Sequence, residues 1–256
     1  MGEIVVVASQ KGGVGKTTTV INLGASLAIL GKSCLLVDLD PQGSIASGFQ
    51  LDDYKLPYGL YDVIVKKIPL ALAITDIGLE NLEIVPSNVK NEEQEIDLFT
   101  HALNLKLIRS ILKPLKSEYD YIILDCPPNL GTLTLNGLVA ADSVLIPVQS
   151  EFYSIKSLGK FLRSLKTIGK KYNSKLKFKG ILITMYDRRL KKSREILKDL
   201  RYGFKDIIFN TVIPRNSRVA EAPAFGKPVA LVDMTSVGAL NYFKLAEEFI
   251  NRNNRQ

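Results

Sequence analysis

The sequence predicts an α/β fold: a mostly parallel, twisted β-sheet flanked by helices on both faces. Two observations carry this prediction. Short runs rich in β-branched residues are apolar throughout rather than alternating, as strands buried on both faces must be. Longer stretches with helical spacing separate them, and strands that alternate with helices imply parallel crossovers. With 256 residues, 46% of them hydrophobic, the chain can bury a large core. It is read as one domain over residues 1–256.

The elements follow in order. EIVVVA (3–8) is the first strand, and it runs into a glycine cluster and a helix over 16–30. SCLLVD (33–38) is the second, stopped by the Asp-Pro turn of VDLDPQG. LEIVP (82–86) is the third, followed by a helix over 104–117. YIILD (121–125) ends in DCPP ahead of a helix over 131–141, and SVLIPV (143–148) precedes a helix over 154–172. KGILITM (179–185) leads through TMYDRR to a helix over 190–202, and DIIFNTVIP (206–214) leads through PRNSR towards a last helix over 236–251. Such sheets bind ligands beyond the carboxyl ends of their strands, so the residues just after each strand are the candidates for function.

Composition narrows the classes. No apolar run approaches the ~20 residues needed to cross a bilayer. The N-terminus enters a strand at once, without a basic leader, which points away from secretion. Cys34 and Cys126 lie in apolar runs and read as reduced core thiols of a cytoplasmic protein. The net charge of +8 is uneven: residues 156–218 hold 19 Lys and Arg against four Asp and Glu, and the rest of the chain is net acidic. Such clustering suits a polyanion-binding surface, although charge alone leaves a solvated lysine-rich face open.

The first strand end reads ASQKGGVGKTTT (8–19). The usual phosphate-binding loop is G-x-x-x-x-G-K-[ST], and Gly15, Lys16 and Thr17 supply its end, but Gln10 replaces the opening glycine. Gly12, Gly13 and Gly15, with Val14 between them, let successive N–H groups turn towards phosphate oxygens. The positive end of the next helix faces the same anion. Lys16 would neutralise the outer phosphates, Thr17 would ligate Mg²⁺, and Thr18 could reach the α-phosphate. Asp125 closes an apolar strand where phosphate-loop NTPases carry a carboxylate for Mg²⁺, or it caps the next turn. Asp38 and Asp40, two apart, would point the same way, one holding metal-bound water and the other orienting the attacking water. Alternatively they begin the DPQG turn. Lys11 either adds general positive field or supplies charge across a dimer interface, as a finger acting in trans.

The lysine before the glycine pair makes this loop resemble the deviant phosphate loop of the ParA/MinD ATPases. VDLDPQGS, IILDCPPNLG, VLIPVQSEFYSIKSL and VIPRNSRVAEAPAFGKPV look like the chromosomal ParA (Soj-type) branch, and the resemblance runs from about residue 3 to 250. It implies a P-loop NTPase fold with ATP and Mg²⁺ as ligands, and an ATP-bound homodimer in which Lys11 reaches the partner's nucleotide. Asp40 matches the hydrolytic aspartate, and Gly12 lies where subunits approach closely. Pro214 and Asn216, helped by Met185, line the adenine pocket. The resemblance further implies non-specific binding to double-stranded DNA and slow hydrolysis stimulated by a ParB-type centromere-binding partner. The setting is the nucleoid, with origin segregation as the outcome. Arg189 matches a DNA-binding arginine, Arg218 is a second candidate, and Lys191 and Lys192 extend the patch. DRRLKKSRE, SNVKNEEQE, Met234 and Val237 depart from the family's pattern.

Rival readings share the loop. A MinD-type cell-division ATPase acting at the membrane needs a basic amphipathic C-terminal helix, whereas this chain ends in NYFKLAEEFINRNNRQ. A nitrogenase-reductase-type redox protein needs a pair of cysteines at a dimer face, which Cys34 and Cys126 do not suit. A DNA-binding module whose shape ATP merely sets would show no turnover. His101, far from every motif, is read as a surface or capping residue before a helix.

Overall fold

The computed structural model describes residues 2–51, 56–150, 155–205 and 207–253. Its centre is an eight-stranded sheet of β1 (Glu3–Val7), β2 (Cys34–Asp38), β3 (Thr75–Leu79), β4 (Leu82–Val85), β5 (Tyr121–Asp125), β6 (Ser143–Gln149), β7 (Lys177–Tyr186) and β8 (Ile208–Pro214). The strand order is β3-β4-β2-β5-β1-β6-β7-β8, and every pair except β3–β4 is parallel. The parallel strands therefore all open their carboxyl ends on one edge.

The apolar runs are apolar throughout because successive residues feed two different cores. Ile4 and Val6 of β1 join Leu35 and Val37 of β2 and Ile122 and Leu124 of β5 on one face. Val5 and Val7 join Leu36 and Ile123 on the other. The first face is covered by α3 (Leu60–Val65), α4 (Glu92–His101), α5 (Leu107–Leu112), α6 (Thr132–Ala140), α7 (Ile155–Tyr172) and α8 (Lys191–Gly203). The second is covered by α1 (Lys16–Ile29), α2 (Ser44–Gly48), α10 (Val229–Val232) and α11 (Val237–Asn253), with the short α9 (Ser217–Glu221) at its margin. No helix among the described residues is long and apolar enough to cross a membrane.

Several expectations need correction. The helix over 104–117 is shorter, because Pro114 opens a separate 3-10 turn after α5 ends. Strand β3 was not legible: no residue of it is buried, and as an antiparallel edge it carries no apolar run. Helix α4 also escaped the apolar pattern, since Leu98 is its one buried residue. Its start is instead marked by capping: Asn91 accepts a hydrogen bond from the Gln94 N–H, and Gln94 accepts one from the Lys90 N–H. His101 precedes α5, as expected, and also closes α4, with Nδ1 2.8 Å from the Asp97 carbonyl oxygen.

Candidate nucleotide site and basic face

The chain leaves β1 at Val7 and enters α1 at Lys16, and the intervening loop lies at the carboxyl edge of the sheet. Gly13 and Gly15 adopt φ of +70° and +83°, backbone that an L side chain rarely enters. Two side chains from neighbouring strands tie down the loop carbonyls. Gln149, the last residue of β6, donates to Gly13 O at 3.0 Å, and Thr184 of β7 donates to Val14 O at 2.8 Å. With these carbonyls held by the sheet, the amides of the same turn and the uncapped N-terminus of α1 are left for an anion.

Behind the loop sit charges that water does not reach. Lys16 is only 8% exposed, and Asp38 and Asp125 are both 0% exposed. Thr17 Oγ1 donates to Asp125 Oδ2 at 2.5 Å, while Asp125 Oδ1 is buried without a protein partner. Burial pushes the Asp125 carboxyl up to about 7, against the pull of the Thr17 hydrogen bond and the Lys16 charge. Asp38 lies beside Asp125 in the β2–β5 register, and burial together with that neighbour raises its carboxyl well above the usual range. Two adjacent buried carboxylates, one with a vacant oxygen, beside a hydroxyl suit a hard divalent cation. Among the described residues, no three His, Cys, Asp or Glu side chains form a metal cage. Mg²⁺ here would complete its shell with phosphate oxygens and waters, as that ion usually does.

Asp38 and Asp40 do not share an orientation fixed by strand alternation, because β2 ends at Asp38. The two oxygens of Asp38 accept the N–H groups of Asp40 and Ile45, at 3.0 and 2.9 Å, so its carboxylate also shapes the turn. Asp40 stands past the strand, half-buried, and accepts from the Gln42 N–H at 3.1 Å. The turn-building reading therefore fits Asp38, and Asp40 is the more accessible of the two.

The remaining loop residues divide by exposure. Gly12 is exposed, and a Cβ placed there would come no closer than 3.8 Å to Pro128, so nothing within this subunit requires glycine. Lys11 donates from Nζ to Gln149 Oε1 at 3.2 Å. Thr18 is half-buried in the first turn of α1, and its carbonyl accepts from the Asn22 side chain. Met185 has φ of +50°, its methyl carbon lies near Gly15, and its sulfur accepts from Gln149 Nε2 at 2.8 Å. Pro214 faces Tyr186 in the β7–β8 register, and Asn216 caps α9 by accepting from the Val219 N–H. The proposed adenine residues therefore lie on the same edge, at the adjacent strand ends. Sequence reasoning missed Gln149 and Thr184, whose part in shaping the loop depends on strands distant in the chain.

The basic candidates sit beyond β7 and β8. Arg189 is 82% exposed, and its guanidinium forms a two-point ion pair with Asp187 at 2.7 and 3.0 Å. That pairing holds Asp187 down at about 2. Lys191 opens α8, 84% exposed and 3.9 Å from Glu195, with Lys192 exposed beside it. Arg218 of α9, half-exposed, pairs with Glu221 at 3.3 Å and Asp233 at 3.7 Å. The strongest candidates are thus already partly neutralised within the chain. The basic surface is also wider than they are: Lys160, Arg163, Lys166, Lys170 and Lys171 project from the outer face of α7, opposite buried Leu158, Phe161, Leu162 and Leu165.

Both cysteines are free and buried, and burial raises both thiols, so they belong to the core.

Residues 2–178 match the family model described as AAA domain. The chain is 42% identical over 248 residues to the sporulation initiation inhibitor protein Soj of Bacillus subtilis, covering 97% of this chain and 98% of that one. It is 40% identical over 256 residues to the chromosome-partitioning ATPase Soj of Treponema pallidum, covering all of both chains. Among solved structures, cobyrinic acid a,c-diamide synthase of Mycobacterium smegmatis with bound ADP and magnesium superposes with a TM-score of 0.81 at 32% identity, covering 99% of this chain and 96% of that one. A phosphate loop pinned by two strands, with a hydrogen-bonded Thr–Asp pair behind it and full-length likeness to Soj, places the chain in the ParA/Soj-type family of ATPases.

Proposed function

We propose that this chain, acting as one domain over residues 1–256, hydrolyses ATP with Mg²⁺ to drive the partitioning of replicated DNA. The observation that carries the proposal is the Thr17–Asp125 hydrogen bond next to buried Lys16, behind a loop whose Gly13 and Val14 carbonyls are held by β6 and β7. Lys16 and the loop amides bind and orient the phosphates. Thr17 and Asp125, with Asp38 behind, would hold Mg²⁺, which when bound neutralises phosphate charge. Asp40 orients the attacking water, and Met185, Pro214 and Asn216 hold the base.

Lys11, on the exposed side of the loop next to the open space at Gly12, reaches across to a second subunit's nucleotide, so the ATP-bound form is a homodimer. The basic face of Arg189, Lys191, Lys192 and Arg218 then binds double-stranded DNA without reading its sequence, because phosphate neutralisation needs clustered charge and little base chemistry. A ParB-type partner stimulates slow hydrolysis and releases the dimer from the nucleoid.

A membrane-acting, MinD-like role is the weaker reading. Helix α11 uses its apolar face within its own core: Tyr242, Leu245, Ala246 and Phe249 are essentially unexposed. Arg252 near its end donates to the backbone carbonyls of Lys179 and Ile208. The deciding experiment measures phosphate release with double-stranded DNA and with a ParB-type N-terminal peptide, separately and together. Joint stimulation is expected. Stimulation by anionic vesicles with no response to DNA would replace this proposal with the membrane reading.

A further inference from the structure

We infer that Gln149 is a latch that holds Lys11 within its own subunit and thereby sets when that lysine can cross to a partner. The inference rests on the trans role of Lys11 proposed above. Gln149 is the last residue of β6, paired with Thr184 of β7, so its side chain leaves from a point set by that pairing. Both ends of its amide are engaged. Oε1 accepts from Lys11 Nζ at 3.2 Å, while Nε2 donates to Gly13 O at 3.0 Å and contacts Met185 Sδ at 2.8 Å. An amide with both ends engaged has one preferred orientation, so these contacts stand or fall together.

The two tethered positions flank Gly12, the exposed residue with open space around it. One side chain thus couples the position of Lys11 to the conformation of the phosphate-facing loop. An anion drawn into the loop acts on the segment around Gly13, and any shift of that carbonyl also disturbs the acceptor that holds Lys11. A neutral amide suits such a latch. An ammonium–amide bond is weak enough for a triphosphate to outcompete, because a fully charged acceptor makes the stronger hydrogen bond. A carboxylate at the same place would hold the lysine as an ion pair and repel the incoming phosphates.

Two readouts test the latch, one of them independent of dimerisation. In the nucleotide-free protein, the rate at which an acetylating reagent modifies Lys11 is followed by peptide mass spectrometry, with lysines of α7 as internal controls. Gln149→Ala should raise that rate about three- to tenfold, the loss of one hydrogen bond of typical net strength. Gln149→Glu should lower it, and the α7 lysines should not change in either variant. At saturating ATP, so that any loosening of the Gly13 anchor is compensated, association followed by light scattering should be faster in Gln149→Ala and slower in Gln149→Glu.

Equal Lys11 acetylation in wild type and both variants overturns the latch, as does altered acetylation without altered association. A Lys11→Ala variant separates the two ideas. If it dimerises with ATP as wild type does, the trans role falls. If it fails to dimerise while both Gln149 variants behave as wild type, the trans role stands and the latch falls.

Discussion

At the ends of β1, β2 and β5 the charged groups Lys16, Asp38 and Asp125 are at most 8% exposed. At the ends of β7 and β8, on the same edge of the same sheet, Arg189, Lys191 and Arg218 are 52–84% exposed. The two buried carboxylates are held by partners that leave little choice of position: a hydroxyl on Asp125 and two backbone amides on Asp38. The exposed ones are held by neighbouring carboxylates that water screens. The difference teaches what each region can do. Buried charge in fixed geometry recognises a small ligand of defined charge and shape, while exposed charge on flexible stems recognises a long polyanion at any register.

Four substitutions or conditions probe that contrast, from the largest effect to the smallest. Lys16→Ala should reduce ATP hydrolysis about a thousandfold, the scale on which a preorganised charge acts in a low-dielectric site, as read by phosphate release. Asp40→Ala should still bind ATP and form the dimer while turnover falls about a hundredfold, since it removes only the group that orients water. Normal turnover in this variant would reassign the hydrolytic role. Arg189→Glu should weaken DNA binding about tenfold at unchanged ATP affinity, and wild-type affinity should fall steeply with salt as counterions are released. A flat salt response would break the comparison, because the exposed face would then not be reading phosphates. Thr184→Val should cost about 1 kcal/mol of stability through loss of one buried hydrogen bond, and should weaken ATP binding by loosening Val14. Chemical denaturation and nucleotide titration measure the two effects, and unchanged ATP affinity would show that the β6–β7 anchors do not shape the loop.

The sequence made the two regions legible by different means. The phosphate loop and the strand-end aspartates could be read as single residues, because local backbone requirements fix their types and spacing. Gly13 and Gly15 are glycines because the loop turns through positive φ there, and Asp125 closes a strand whose apolar run marks its end. The basic face was visible only as a surplus of charge over residues 156–218. Of its named residues, Arg189, Lys191 and Arg218 turned out to be paired with Asp187, Glu195, Glu221 and Asp233, and the outer row on α7 had not been singled out. Helix α4 and strand β3 were missed for a related reason: neither buries enough apolar surface to leave a period in the sequence.

By itself, then, the sequence determined the alternation of strands and helices, the edge on which the candidate site lies and the glycine pattern of the loop. All of these follow from local backbone geometry and apolar periodicity. Only the tertiary structure decided that Asp38 and Asp125 would be neighbours, that Gln149 and Thr184 would tie down the loop, and that Lys11 would rest against Gln149. Those contacts join residues 87 to 170 positions apart, across parallel strands whose order no local pattern specifies.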